Sequence, residues 1–154
     1  MTTSFAADRQ YDDNWPTCVY AYAWFRVMSE HLNPDSVTTL LELEPTSTQK
    51  KGDLPDPDSR FPKKFSGWFL ETESFIQSRD ARRHIDWLTE RLAGRSEALA
   101  TLRSEGHTVD LCVCFGSIGQ GGPLIGPRQL RALADLGLDF WLDLGFPQTA
   151  DRMG

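Results

Sequence analysis

Segments rich in β-branched and aromatic residues, several of them with alternating hydrophobic and polar positions, predict the strands of this chain. Residues 17–28 contain neither glycine nor proline and predict one long strand. Residues 66–73, 109–115 and 138–144 predict three further strands, and residues 46–51 predict a short one. The chain is therefore expected to build a sheet of four strands and a short fifth strand.

Hydrophobic residues at three- and four-residue spacing predict helices between these strands. The first helix is capped by Asn33, carries Pro34 in its first turn and ends near Leu43, because a proline follows soon after. The last helix begins at Pro127 and stops at Gly137, since glycine readily adopts the positive φ found after helix ends. Each of these two helices has a start signal and a stop signal.

The longest helical pattern lies in the middle of the chain, with isoleucine and leucine at helical spacing. Asp80 is expected to cap its start, and Gly106 is expected to close its end. Gly94 interrupts the pattern and is expected to divide it, with Ser96 capping the second part. The predicted order of elements is therefore β-α-(β)-β-α-β-α-β.

This order favours an α+β fold, a two-layer sandwich in which the helices cover one face of the sheet. The specific expectation is a ferredoxin-like β-α-β-β-α-β core extended by one α-β unit. At 154 residues the chain is long enough for one domain with its own core. We expect an N-terminal arm over residues 1–16, a single α+β domain over 17–146 and a C-terminal tail over 147–154, with a proline-rich loop at 52–65.

Charge and cysteine content narrow the expected partners and compartment. With 22 acidic and 16 basic residues the formal net charge is −6, and the basic residues form no stripe, so nucleic acid is not an expected partner. No window of eighteen apolar residues occurs, and thus no membrane span is expected. Three cysteines suit a reducing compartment, and the N-terminus lacks a signal-peptide pattern, so the cytoplasm is the expected location.

The stretch most suggestive of chemistry is CFGSIGQGGPLIGP, with five glycines in fourteen residues. Such a loop ahead of a helix can bring backbone N–H groups close to a phosphate. The Walker pattern fails, since Gly122 follows Gly121 where a lysine is required. The dinucleotide pattern also fails, because Leu124 replaces its third glycine. A turn between strand and helix is favoured, and the alternative is an anion site in loop 116–126 at Gly119, Gly121 and Gly122.

Metal binding and nucleophilic catalysis lack the residue patterns that they require. Cys112 and Cys114 point to the same side of one strand, but no further ligands stand at metal-site spacing, so we expect no metal, no cofactor and three reduced thiols. Ser117 departs from the glycine-x-serine-x-glycine elbow, and no catalytic residue is predicted. Three aspartates at alternate strand positions are expected to be solvated: Asp110, Asp139 and Asp143. A non-enzymatic protein is favoured, with catalysis left open.

Strand parity predicts an unusual surface. In residues 17–28 the odd positions from 19 onwards hold small or apolar side chains for the helices to cover, whereas the even positions from 20 to 26 hold large rings and an arginine. The side chains expected on the uncovered face, called the aromatic sheet face, are Tyr20, Tyr22, Trp24, Arg26 and Trp141. Tyrosine, tryptophan and arginine are enriched at interface hot spots, which favours a binding surface. The alternative is that the N-terminal arm and loop 52–65 cover these rings as a second core layer.

Several short motifs occur in the order and spacing of a known family: Glu44-Pro45-Thr46, Lys51-Gly52-Asp53, Gly67-Trp68-Phe69-Leu70, Glu105-Gly106, Gly121-Gly122-Pro123 and Leu136-Gly137-Leu138. Over residues 18–146 the chain resembles the bacterial domain-of-unknown-function family 4279. Because that family has no assigned activity, the resemblance implies no catalytic residues, and small bacterial domains of this kind are sometimes companions of toxin systems. The family often has serine or aspartate to cap its last helix, where this chain has Gly126.

These patterns together favour a non-enzymatic recognition or self-associating module, immunity-like in kind, that uses the aromatic sheet face. A protein partner or a homodimer is the expected assembly, with neither nucleic acid nor membrane involved. The competing hypothesis is a small-ligand or anion-binding protein, or an enzyme, with its site in loop 116–126.

Overall fold

The computed structural model describes residues 10–147, which form one sheet and four helices. The strands are β1 (Cys18–Ser29), β2 (Ser47–Gln49), β3 (Ser66–Glu71), β4 (Thr108–Ser117) and β5 (Asp139–Gly145). The helices are α1 (Pro34–Leu41), α2 (Ala81–Leu92), α3 (Ser96–Ser104) and α4 (Pro127–Leu136). Parts of the expected arm and tail, residues 1–9 and 148–154, lie outside the described residues. Within the described range, no helix has the length and apolar character needed to cross a membrane.

The strands form a single open sheet in the order β2-β3-β1-β4-β5. Neighbours are antiparallel from β2 to β4, whereas β5 lies parallel to β4. The mixed α+β class is therefore confirmed. The ferredoxin-like topology is not confirmed, because the order of the five strands differs from that of a ferredoxin-like sheet. The crossover through α4 places β5 beside β4 as an outer parallel strand.

The core lies between one face of the sheet and the helices. Phe25, Trp68 and Val113 project from three neighbouring strands into this layer and are fully buried. Side chains from all four helices join them in one cluster, and Ile85 and Leu88 in the middle of α2 belong to it. Burying a side chain of this size stabilises the fold by about 1.5–3 kcal/mol. Because strand side chains alternate between faces, the opposite face of the sheet is left for other contacts.

Helix ends follow the signals predicted at Asn33, Asp80 and Gly137, and they depart from the signal predicted at Ser96. The side chains of Asn33 and Asp80 accept backbone N–H groups at the starts of α1 and α2, as predicted. Gly137 has a φ of 67° after α4, which is the left-handed conformation that ends a helix. The expectation that Ser96 caps α3 is wrong. Arg95 occupies the cap position, and the Ser96 hydroxyl donates to a carbonyl of α4 instead.

Residues 10–16 of the arm pack against α2 and the loop after β4. The Tyr11 hydroxyl donates to the buried carboxylate of Asp86, and burial together with this hydrogen bond raises the pKa of Tyr11 to about 12. The indole N–H of Trp15 donates to the carbonyl oxygen of Gly122 at 3.0 Å. These contacts tie the start of the described chain to α2 and to the glycine-rich loop.

Candidate functional site

The side chains expected on the aromatic sheet face lie on that face. Tyr22, Trp24 and Arg26 of β1 are half-buried on the side opposite the helices. Between them, Ala23 and Phe25 are fully buried in the core. The parity prediction is therefore confirmed for β1 from Tyr22 to Arg26, because the two side-chain rows have different surroundings there. It is wrong for Val19, because the register shifts between Cys18 and Tyr20 and places Cys18, not Val19, in the core.

A row of rings runs along this face of the sheet. Ring centroids are 6.1 Å apart for Tyr20 and Tyr22, and 6.4 Å apart for Tyr22 and Trp24. Trp24 then meets Phe69 of β3 edge-to-face, with centroids 5.7 Å apart and an interplanar angle of 84°. Edge-to-face contact places the positive edge of one ring against the negative face of the other. The rings of two neighbouring strands thus form one continuous apolar floor.

Tyr20 lies across the two strands beyond β1, at positions where both carry glycine. A Cβ atom at Gly116 of β4 would collide with the Tyr20 ring, and a Cβ atom at Gly145 of β5 would collide with its hydroxyl group. Neither glycine has a positive φ, so the close approach of the ring, and not backbone conformation, is what requires them.

Arg26 is held between Asp110 and Trp141. Its guanidinium donates to both carboxylate oxygens of Asp110, at 2.7 and 2.8 Å, and this hydrogen bonding raises the pKa of Arg26. The guanidinium carbon also lies 5.9 Å from the centroid of the Trp141 ring, within the range of a cation–π contact. Asp110 is buried, so the expectation that it is solvated is wrong. The register sets it directly opposite Arg26, and the ion pair compensates its burial.

The two thiols of β4 share this face with the rings. The register places Cys112 opposite Trp24 and Cys114 opposite Tyr22. A hydrogen bond from the Cys112 thiol lowers the pKa of Cys114 to about 7, against the effect of burial and with help from the Tyr22 hydroxyl. The same hydrogen bond and burial raise the pKa of Cys112. Cys18 is buried, and desolvation raises its pKa to about 11. Cys114 is therefore the cysteine with the most thiolate character.

These side chains line a groove of about 310 Å³, called here the aromatic groove. Its lining residues are Tyr22, Trp24, Arg26, Met28, Gln49, Phe65, Phe69, Cys112, Cys114 and Asp143. This volume is at the small end of ligand pockets, and it suits one or two side chains. Among the residues that the structure describes, loop 52–65 contributes one wall through Phe65, and residues 10–16 contribute none. Phe61 of the same loop is 80% exposed.

Carboxylates stand around the aromatic groove. Asp143 of β5 lines it. Glu71 of β3 lies opposite Trp24 on the same face but does not line the groove, and its carboxylate accepts hydrogen bonds from the Glu73 N–H and the Ser74 hydroxyl. Asp139, at the start of β5, is exposed, as expected from the sequence. The cation that lines the groove, Arg26, already binds the carboxylate of Asp110. The rim therefore favours groups with positive charge.

The glycine-rich loop is closed by its own hydrogen bonds. The Ser117 hydroxyl donates to the carbonyl oxygen of Gly119 at 2.8 Å. At the start of α4, the backbone N–H of Gly126 donates to the side chain of Gln129. Gly121 and Gly122 line a shallow cavity whose lining includes the carboxylate of Asp12 and neither lysine nor arginine. Anion binding at Gly119, Gly121 and Gly122 stays a prediction, with little in these surroundings to favour it.

The buried polar residues of α2 were not predicted from the sequence. The Asp86 carboxylate accepts hydrogen bonds from Tyr11, Arg128 and Gln129, and it joins the arm to α4. His84 is fully buried, and its helical spacing from apolar neighbours was the available signal. Among residues 10–147, no cluster of three or more histidine, cysteine, aspartate or glutamate side chains is placed to hold a metal ion.

A family model described as Domain of unknown function (DUF4279) matches residues 18–146 of the chain. The matched range runs from the first residue of β1 to just beyond β5, and it therefore includes every strand that contributes to the aromatic groove. No curated protein and no solved structure matches the chain.

Proposed function

The chain belongs to the DUF4279 family of domains of unknown function, and from this premise we propose that it is a non-enzymatic recognition module. A protein partner inserts an apolar or aromatic side chain into the aromatic groove, over Trp24 and between Tyr22 and Phe65. It places a lysine or arginine beside the acidic rim. The observation that carries this proposal is a set of rings, half-buried and held in place, in a concave site lined by a carboxylate.

The rings are already ordered by contacts within the sheet. Trp24 is fixed edge-to-face on Phe69, and the Tyr22 ring lies between those of Tyr20 and Trp24, with centroids 6.1 and 6.4 Å away. Side chains that are ordered before binding lose little conformational entropy when a partner arrives. A partner side chain can therefore gain apolar contact in the aromatic groove at a small entropic cost.

Charge selects the partner. The net charge of −6, the carboxylate of Asp143 at the rim and that of Glu71 beyond it attract a basic segment and repel an acidic one. These carboxylates are near solvent, so salt is expected to weaken the attraction. A basic segment with one apolar anchor is the chemistry that fits both the floor and the rim.

The placement of the histidines supports a role without catalysis. Cys114 has thiolate character, but nucleophilic catalysis also requires a base beside the nucleophile. His84 lies in the core, and His31 and His107 stack on each other with centroids 4.8 Å apart. None of these three histidines lines the aromatic groove.

A random peptide library selected on the immobilised full chain tests this proposal. Selected peptides are expected to carry an aromatic or large aliphatic residue next to lysine or arginine. Trp24→Ala is expected to weaken binding of the selected peptides by about 30-fold, because loss of a hot-spot ring costs about 2 kcal/mol. Phe61→Ala removes an apolar ring that is 80% exposed and lies outside the groove, and it is expected to leave the affinity unchanged.

Two outcomes would contradict the proposal. One is a peptide set that binds the folded Trp24→Ala chain as tightly as the wild type. The other is selection of acidic peptides. Circular dichroism checks that each variant is folded, and Trp141→Ala provides a second variant at the edge of the same face, because that ring is 60% exposed. Asp143→Asn is expected to reduce the salt dependence of binding while retaining the preference for an apolar anchor.

A further inference from the structure

The outer edge of β5 is open and lacks the usual protection of an edge strand. β5 stands last in the sheet order, so within the described residues one side of its backbone has no neighbouring strand. Natural proteins usually protect such edges with charged side chains, lysine above all, with proline, with bulges or with very short strands. Asp139 and Asp143 are the charged residues of β5. The strand Asp139–Gly145 has seven residues, DFWLDLG, with neither lysine nor proline. It spans about 23 Å, at about 3.3 Å per residue.

The opposite edge of the same sheet is protected. β2 has only three residues, Ser47–Gln49. Lys50 and Lys51 follow it directly and are exposed. A short edge strand followed by lysines discourages pairing with another chain. The two edges of this sheet therefore differ, and β5 is the one suited to pairing.

Apolar side chains on β5 are exposed on both faces of the strand. On the helix side of the sheet, Leu142 and Leu144 are 41% and 46% exposed. On the other face Trp141 is exposed as well. A partner that continues the sheet would cover all three side chains and would also pair the open backbone groups.

We infer that the occupant of this edge is a second copy of the chain, which pairs through an antiparallel β5–β5 contact with Leu142 on the twofold axis. A twofold axis perpendicular to the sheet keeps the aromatic sheet faces of both copies on one side. The two sheets then form one continuous sheet of ten strands. This inference uses a sheet edge and not the floor of the aromatic groove, so it can fail while the proposed function stands.

Side-chain register selects Leu142 as the centre. With Leu142 on the axis, every residue of the strand finds a partner, and Asp139 meets Gly145 of the second copy. Asp143 meets Trp141 of the second copy, so no aspartate faces another. Shifting the centre to Trp141 would set Asp139 against Asp143, and a centre at Asp143 would set that carboxylate against itself. Like charges directly opposite each other destabilise a strand pair.

The same register aligns the apolar row on the helix side. Leu142 meets Leu142 of the second copy, and Phe140 meets Leu144 on each side of the axis. Cross-strand apolar pairs are a main source of stability in a sheet. On the other face, Trp141 of one copy lies beside Asp143 of the next, so the two aromatic grooves adjoin across the axis.

The first test is the mass of the full chain in solution. Light scattering after size exclusion is expected to give twice the 17.4 kDa of one chain. Leu142→Lys is expected to give the mass of one chain, because it places two ammonium groups on the axis. Leu130→Lys, on the exposed face of α4, is the matched control and is expected to remain dimeric. A wild-type mass of one chain at millimolar concentration overturns the inference.

The second test fixes the register by disulfide formation. Leu142→Cys is expected to cross-link two chains under mild oxidation, since directly opposite residues have Cα atoms about 4.5–5.5 Å apart. Leu144→Cys is the control of similar exposure and is expected not to cross-link, because its two copies lie about 13 Å apart along the strand. The wild-type chain, which keeps Cys18, Cys112 and Cys114, gives the background. Cross-linking through position 144 and not 142, or at neither position, overturns the inference.

Discussion

Acidification from about pH 7.5 to about pH 5.5 is expected to weaken the fold through His84. The hydroxyl oxygen of Thr72 lies 2.6 Å from Nδ1 of this buried ring, and the carbonyl oxygen of Ser78 lies 2.8 Å from Nε2. Because a carbonyl only accepts, Nε2 carries the proton and Nδ1 accepts from Thr72. Burial lowers the pKa of His84, and it outweighs the Ser78 carbonyl and the carboxylate of Asp80, which act to raise it.

The size of the effect follows from proton binding to the unfolded chain. An unfolded histidine takes up a proton below about pH 6.5, whereas His84 in the fold stays neutral to a lower pH. Each pH unit in that window removes up to about 1.4 kcal/mol from the free energy of unfolding. The loss of unfolding free energy begins at about pH 6.5 and ends once the pH falls below the lowered pKa of His84 in the folded state. Burial also lowers the pKa of His107, which contributes in the same direction.

Urea unfolding of three chains at these two pH values measures the contribution. His84→Gln is expected to be less stable than the wild type at about pH 7.5, because the amide fills the site imperfectly. Its loss on acidification is expected to be smaller than that of the wild type by about 1 kcal/mol. His107→Gln reports the share of the second histidine. If His84→Gln and the wild type lose the same free energy on acidification, the assignment of a neutral, buried His84 is refuted.

Two further predictions concern the aromatic sheet face. Cys114 is expected to react with iodoacetamide at about neutral pH faster than Cys112 does. Tyr22→Phe is expected to slow that reaction, because it removes a hydrogen bond that lowers the pKa of Cys114. Mass spectrometry of the alkylated peptides measures the rates at both cysteines. Asp110→Ala is expected to lower the free energy of unfolding by about 2–3 kcal/mol in urea titrations, because Arg26 loses two charged hydrogen bonds. Replacing Arg26 and Asp110 together by apolar residues is expected to restore part of that loss, and no recovery would argue against the pair as the cause.

The sequence predicted the features that depend on local geometry. Asn33 and Asp80 cap helices through bonds to N–H groups two residues away, so their roles can be deduced without knowledge of the fold. Successive side chains of β1 point to opposite faces of the sheet, because side chains alternate along any strand. The position of Trp24 on the aromatic sheet face follows from that rule alone.

Features that depend on distant partners were not predictable in the same way. Asp110 is buried because Arg26 stands opposite it on another strand, and the pairing register is not visible in either segment alone. Ser96 is a residue type that often caps helices, but α3 packs beside α4 and the Ser96 hydroxyl donates to a carbonyl of α4. It therefore does not cap α3. The place of β5 beside β4 depends on the direction of the crossover through α4, and neither segment specifies that direction alone.

The position of Tyr20 links three sites that lie far apart in the chain. Its ring occupies the space of a side chain at position 116, and its hydroxyl group occupies the space of a side chain at position 145. A larger residue at either position can be accommodated only if the ring moves or is lost. Evolutionary change at these three positions is therefore coupled: relatives that keep the tyrosine must keep both glycines, and relatives that gain a side chain there should have a smaller residue in place of Tyr20.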